Sequence, residues 1–350
     1  MTNKKWTLLL LVLSMVTLLL AAGAVVVVDP YFHYHAPLPF LEYPLNSQRY
    51  QNDGIVRNFD YDAIITGTSM TENFKASQCD ALFGVNSIKV PFSGGSYKEI
   101  NDNLRRALEA NPDTSLVIRG LDSVMLLQDK DYMEYPDYPE YLTDHNPFND
   151  AEYTLSKHVL FEDVYTVVRN TLIGKPGTTF DEYSNWMGVH SFGKESILLT
   201  YSRPEKAEQE QPLTEEIVKT VTENVMQNVV SLAREYPQTQ FYYFFPPYSI
   251  YHWDTQNQQG TIALQTQAHR LAVELMLQQE NIHVYSFFTE FEMICNPDNY
   301  MDFGHYHEDI SSQILIWLHE GHGLLTKENN DAHWQQVYDF YSTYDYETLF

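Results

Sequence analysis

Cysteine is nearly absent: Cys79 and Cys295 are the only two in 350 residues. So few exclude a disulfide scaffold, and without a Cys-x-x-Cys pair there is neither a zinc knuckle nor a redox dithiol. In an oxidising compartment the two can bridge each other, or they remain as buried free thiols; sequence alone does not choose. Basic residues are scarce too. Acids outnumber them 47 to 21 and the formal net charge is −26, which excludes nucleic acid as a partner, because affinity for a phosphate backbone rests on Lys and Arg releasing counterions. The same field disfavours anionic polymers and leans toward neutral glycans or amine-bearing esters. No metal set is complete either. His305 with His307, and His319 with His322, stand at ligand-like spacings, but no carboxylate or Cys joins them, so neither metal nor cofactor is expected.

Against these absences stands one long apolar run. Residues 7–28 (TLLLLVLSMVTLLLAAGAVVVV) carry no charge and match the roughly 20 residues that cross a bilayer as a helix. Lys4 and Lys5 precede the run and Asp29 follows it, which predicts a cytoplasmic N-terminus and a single-pass protein with everything after Asp29 outside the cytoplasm. The small residues Ala22-Gly23-Ala24 also fit a signal-peptidase site. Val25 to Val28 extend the run beyond an ordinary signal core, which favours an uncleaved anchor.

Residues 29–53, rich in Pro, Tyr and His, read as a juxtamembrane connector. Residues 54–328 then read as one α/β domain, because short apolar strands alternate with helical patterns. Strands are predicted at 63–66, 87–90, 115–118, 240–245 and 283–288. Helices are predicted at 97–109, near 151–173, and at 213–235, 261–280 and 308–325. Residues 122–211, with their Tyr- and Pro-rich stretches, interrupt this rhythm as a long insertion. The tail at 329–350 is rich in Tyr and Asp and shows at most a surface-lying helix.

In a parallel sheet the chemistry gathers beyond the C-terminal ends of the strands. After the first strand comes Gly67-Thr68-Ser69-Met70-Thr71-Glu72. Ser69 there is either a nucleophile at a turn or the first member of a Ser-x-x-Glu capping box. After the second strand comes Ser93-Gly94-Gly95-Ser96, whose glycines fit either an oxyanion-binding amide or an ordinary tight turn. After the fifth strand comes Asp302-Phe303-Gly304-His305. A carboxylate three residues before a histidine on a turn can hold the imidazole in the tautomer that accepts a serine proton. Gly67-x-Ser69-x-Thr71 lacks the last glycine of a Gly-x-Ser-x-Gly elbow, which argues against an α/β-hydrolase.

In that order, Gly67-Thr68-Ser69, Gly94-Gly95 and Asp302-x-x-His305 resemble the blocks of the SGNH/GDSL hydrolase superfamily, over most of the chain after residue 60. The resemblance implies a three-layer, flavodoxin-like parallel sheet. It also implies Ser69 as nucleophile, His305 as general base and acid, Asp302 orienting His305, and oxyanion donors from the backbone amides of Ser69 and of Gly94 or Gly95. The chain is similar to the membrane-anchored branch that includes D-alanyl transfer and alginate O-acetylation proteins. That similarity implies acyl handling on a cell-surface polysaccharide or acylated polymer, beside a multi-spanning O-acyltransferase. Thr68 stands where the family has Asp. Arg119-Gly120-Leu121-Asp122 stands where it has Gly-x-Asn-Asp, so Asp122 replaces an oxyanion-donating Asn. The expectation is a hole short of one donor, or one recruiting another such as Asn185. Two functions follow: a serine esterase or O-acyltransferase working through an acyl-serine, or a non-catalytic envelope scaffold on the same fold.

Overall fold

The computed structural model describes residues 3–135, 138–144 and 146–350, and they divide into two compact units. The first unit comprises the described part of residues 1–60 and 137–179. Its first element, α1 (Asn3–Val28), is one helix of 26 residues, about 39 Å at 1.5 Å per residue. It is long and apolar enough to span a membrane, and its apolar side chains are exposed as far as Leu20, while Val25 and Val28 are buried. The helix stops at Asp29, which adopts a left-handed φ of 46°. The Asp29 carboxylate accepts the N–H groups of His33, Tyr34 and His35 at 3.0, 2.7 and 3.0 Å, and the Tyr153 hydroxyl at 2.8 Å.

The segment expected as a connector lies in this unit and is folded. It leads into α2 (Gln48–Asn58), whose Gln51 side chain accepts the amides of Asn46 and Ser47 and donates to the carbonyls of Pro30 and Pro44. Part of the expected insertion also lies here, as a short helix at Ala151–Thr154 and a π-helical turn at Val159–Val164 that runs on as Tyr165–Ile173.

The second unit holds the described part of residues 61–136 and residues 180–350. Its elements in chain order are β1 (Ala63–Gly67), α3 (Ala76–Phe83), β2 (Ser87–Pro91), α4 (Tyr97–Ala110) and β3 (Leu116–Gly120). There follow α5 (Glu215–Val225), a π turn at Met226–Val230 and α6 (Ser231–Glu235), then β4 (Gln240–Phe245), α7 (Ile250–Gln259), α8 (Ile262–Met276) and β5 (Ile282–Ser286). The chain closes with α9 (Glu308–Glu320), β6 (Leu324–Leu325) and α10 (Asn330–Thr343). The six strands lie in the order β2-β1-β3-β4-β5-β6, all parallel except β6. The five predicted strands are therefore present, and the fold is α/β with a mostly parallel sheet.

Every residue of β1, β2 and β3 is buried, as expected of strands covered on both faces. Neighbouring residues of β4 point to opposite faces and identify the two covers. Tyr242 meets Phe83 at the end of α3, which in turn packs on His319 of α9. Tyr243 donates to the carbonyl of Val229 in the turn between α5 and α6.

Several helices depart from expectation. The predicted 308–325 helix ends at Glu320, because Gly321 and Gly323 both take φ of +77° and turn the chain back as β6, antiparallel to β5. Helix α7 was not foreseen, since its buried residues include His252, Asp254, Gln256 and Gln258 and give no apolar stripe. In the C-terminal segment, α10 packs on α8, and Tyr341 stacks on Trp253 with ring centroids 3.8 Å apart.

Candidate active site

Strand order reverses beside β1, since the chain goes to β2 on one side and then to β3 on the other. The crevice at such a switch point is where open parallel sheets bind ligands. β1 enters it through Gly67, at φ +148°, where a Cβ would lie 2.7 Å from Thr71 Cγ2. The next residues make a single 3-10 turn, Ser69–Thr71. Capping of that turn falls to Thr68, whose hydroxyl accepts from the Met70 N–H. The capping-box alternative for Ser69 is thus not what is seen: its half-buried Oγ lies 2.8 Å from His305 Nε2.

His305 arrives from beyond β5, three strands away from β1 in the sheet. The loop that carries it crosses the end of β4, fastened there by Tyr300 donating to the Pro247 carbonyl and Ser249 donating to the Phe303 carbonyl. Residues 299–307 form a tight hairpin through the Tyr300–Tyr306 bridge. At its tip one oxygen of Asp302 accepts the N–H groups of Gly304 and His305, both at 2.8 Å, and the other accepts His305 Nδ1–H at 2.7 Å. With its proton on Nδ1, the ring presents Nε2 as an acceptor to Ser69. Beside it, Tyr306 donates its hydroxyl to the Met70 carbonyl at 2.7 Å. The neighbour of the histidine therefore grips the neighbour of the serine.

Charges around the pair follow from this packing. Burial alone disfavours an imidazolium, but the Asp302 hydrogen bond and charge, with the charges of Asp122 and Glu72, outweigh it, and the His305 pKa is raised. Burial pushes the Asp302 carboxyl upward, and its bonds to His305 and Gly304 overcome that, so its pKa is lowered. The two shifts favour an aspartate held ionised beside a basic histidine.

The glycine pair divides. Gly95 donates its N–H to the Phe92 carbonyl at 2.7 Å, so that amide is committed to a tight turn. Gly94 sits at φ +63°, and a Cβ there would meet the Tyr135 hydroxyl at 3.1 Å. Among the described residues the backbone N–H groups of Ser69 and Gly94 find no acceptor.

Asp122 is wholly occupied. One of its oxygens accepts the Thr68 hydroxyl and the other accepts the Tyr248 hydroxyl. Tyr248 in turn accepts the Ser123 N–H, and Tyr97 donates to the Asp122 carbonyl. Burial raises the Asp122 pKa against the lowering by those two hydroxyls and by His305. Asn185, named from sequence as a substitute donor, uses its side-chain oxygen to accept the Met187 N–H at 2.9 Å.

Three neighbours escaped the sequence reading. Trp186, whose backbone N–H donates to Asn73 Oδ1, stands edge-on to the His305 ring, with centroids 5.9 Å apart. Its position next to Asn185 was the only hint. Lys89, fully buried on β2, donates to the carbonyls of Glu72, Phe74 and Asp181, which ties down the chain just after Ser69. Burial lowers its pKa to about 7, against the pull of Asp181 and Glu72. Arg119, also fully buried, donates to the carbonyls of Asn228 and Tyr97 beneath the third loop.

The other candidates lie apart from this cluster. Phe192 packs on His307, whose Nδ1 accepts the Asp309 N–H at the start of α9. His322 pairs with Glu290 at 2.7 Å. Among the described residues no three His, Cys, Asp or Glu side chains gather as a metal set. Cys79 and Cys295 are both free thiols, and burial pushes Cys79 up to about 12.

A hydroxyl, an imidazole and a carboxylate in one hydrogen-bonded line are the parts that nucleophilic acyl transfer requires. Compared with protein-family models, with curated protein sequences and with solved structures, the chain matches none of them.

Proposed function

We propose that this chain is a membrane-anchored serine esterase or O-acyltransferase of SGNH type, facing away from the cytoplasm and acting on an acylated cell-envelope polysaccharide or a related ester. The observation that carries the proposal is the Ser69–His305–Asp302 line, with separations of 2.8 and 2.7 Å. The strand order 2-1-3-4-5, which is that of flavodoxin-like sheets, supports it.

In the reaction Ser69 Oγ attacks the ester carbonyl carbon while His305 Nε2 takes the hydroxyl proton. The tetrahedral oxyanion is met by the Ser69 and Gly94 amides. Collapse breaks the carbon–oxygen bond to the leaving alcohol, which receives the proton from His305 and leaves an acyl-Ser69 ester. Water, or a glycan hydroxyl, then gives its proton to His305 and attacks that ester; the bond between the acyl carbon and Ser69 Oγ breaks, Oγ takes the proton back from His305, and acid or a new ester is released. Asp302 stays ionised throughout and holds the ring. Such a chain would work beside a multi-spanning O-acyltransferase that delivers acyl groups across the membrane.

A fluorophosphonate probe tests this on the full chain in detergent. Labelling that disappears in Ser69→Ala is the expected result. A folded, unlabelled wild-type protein favours the second reading, a non-catalytic envelope scaffold, which the full occupation of Asp122 by Thr68 and Tyr248 supports.

A further inference from the structure

The helix over 159–173 presents two unlike faces. Val159, Val164, Val167 and Asn170 are buried, whereas Phe161, Tyr165, Val168 and Leu172 are exposed, Phe161 at 69% and Leu172 at 80%. Those four stand at offsets of four, seven and eleven residues and so form one stripe along the helix. An unbroken apolar stripe on a water-facing surface calls for a cover. Its place in the fold names one. The 159–164 turn packs directly on α1, as does the Ala151–Thr154 helix. On α1, Val25 and Val28 are buried in this unit while Val27 is exposed. The stripe therefore begins where the apolar anchor ends.

We infer that this helix lies in the lipid–water interface beside the C-terminal end of α1, with Phe161, Tyr165, Val168 and Leu172 turned into the acyl boundary. The inference rests on the reading of α1 as membrane-spanning. Its side chains suit that depth: two aromatic rings and two aliphatic groups, with exposed Arg169 and Lys175 nearby, whose stems can lie along apolar surface while their charges reach headgroups.

The test uses the full chain with Cys79 and Cys295 replaced by Ala, reconstituted in nanodiscs of phosphatidylcholine and phosphatidylglycerol. A nitroxide is placed singly by Leu172→Cys, by Glu162→Cys on the polar side of the same helix, and by Leu11→Cys within α1. Collision with oxygen is compared with collision with a water-soluble nickel chelate. The expected result is an oxygen-to-nickel ratio at 172 severalfold above that at 162 and close to that at 11. A 172 ratio equal to that at 162, with 11 lipid-exposed, overturns the inference and leaves the anchor intact. Exclusion of both relaxants at 172 overturns it in favour of a protein cover, such as a second copy of this chain. A water-exposed label at 11 removes the membrane reading and this inference with it.

Discussion

Thr68 gives its hydroxyl to Asp122 and so joins the turn after β1 to the loop after β3, one residue away from Ser69. The carboxylate is a buried fastener whose second oxygen takes Tyr248. An amide at 122 can accept with only one of its two polar atoms. Asp122→Asn is therefore expected to lower unfolding free energy by about 1–3 kcal/mol, read by urea denaturation, without raising the rate of the proposed ester cleavage. A rate gain of about 10²-fold would instead place position 122 at the oxyanion.

The pH profile follows from the bonds of His305. In the proposed reaction the base acts as neutral imidazole, and the His305 pKa is raised chiefly by Asp302 against the opposing effect of burial. Turnover should climb with pH through a midpoint above that of an ordinary histidine. In Asp302→Asn the midpoint should fall and turnover should drop by about 10³- to 10⁴-fold, because the amide no longer fixes the Nδ1 proton. Initial rates from pH 5 to 9 on both proteins check this.

In the proposed reaction Tyr306 is a positioning residue, acting on Ser69 through the Met70 carbonyl, to which it donates. Tyr306→Phe leaves that buried carbonyl without its donor, at a cost of about 1–3 kcal/mol. The expected signature is a lower kcat with KM nearly unchanged, together with slower fluorophosphonate labelling. A smaller labelled fraction at an unchanged labelling rate would indicate a general loss of fold instead.

Lys89 holds the chain after Ser69 through the Glu72 and Phe74 carbonyls and ties it to the Asp181 carbonyl. Lys89→Met keeps most of the volume and removes every donor. It should destabilise the protein by several kcal/mol, at about 1–3 kcal/mol for each carbonyl left unpaired. Thermal denaturation measures the loss, and amide exchange at residues 72–74 should rise before global unfolding.

The parallel strands were legible because buried strands read as continuous apolar runs bounded by turns, as in Ala63–Gly67 and Gln240–Phe245. The Asp302–His305 pair was legible for another reason: its geometry is local, closed by three hydrogen bonds within four residues. Helices α2 and α7 were hidden because they bury polar side chains. Gln51, Asn52 and Asp53 are buried in α2, and Asp254 in α7 is satisfied by Arg203 and Tyr201 from a distant segment. No periodicity of apolar residues reports such faces. Lys89, Tyr306 and Trp186 were invisible likewise, since each acts on a partner far away in sequence whose nearness only the folded sheet creates.

The Asp29 knot changes what α1 is mechanically. A carboxylate that gathers three successive amides and the phenol of Tyr153 leaves no swivel after the last turn of α1. On the proposed reading of α1 as membrane-spanning, tilting or spinning the helix in a bilayer would turn the helices at 151–154 and 159–173 of its own unit with it, as a crank carries its arm.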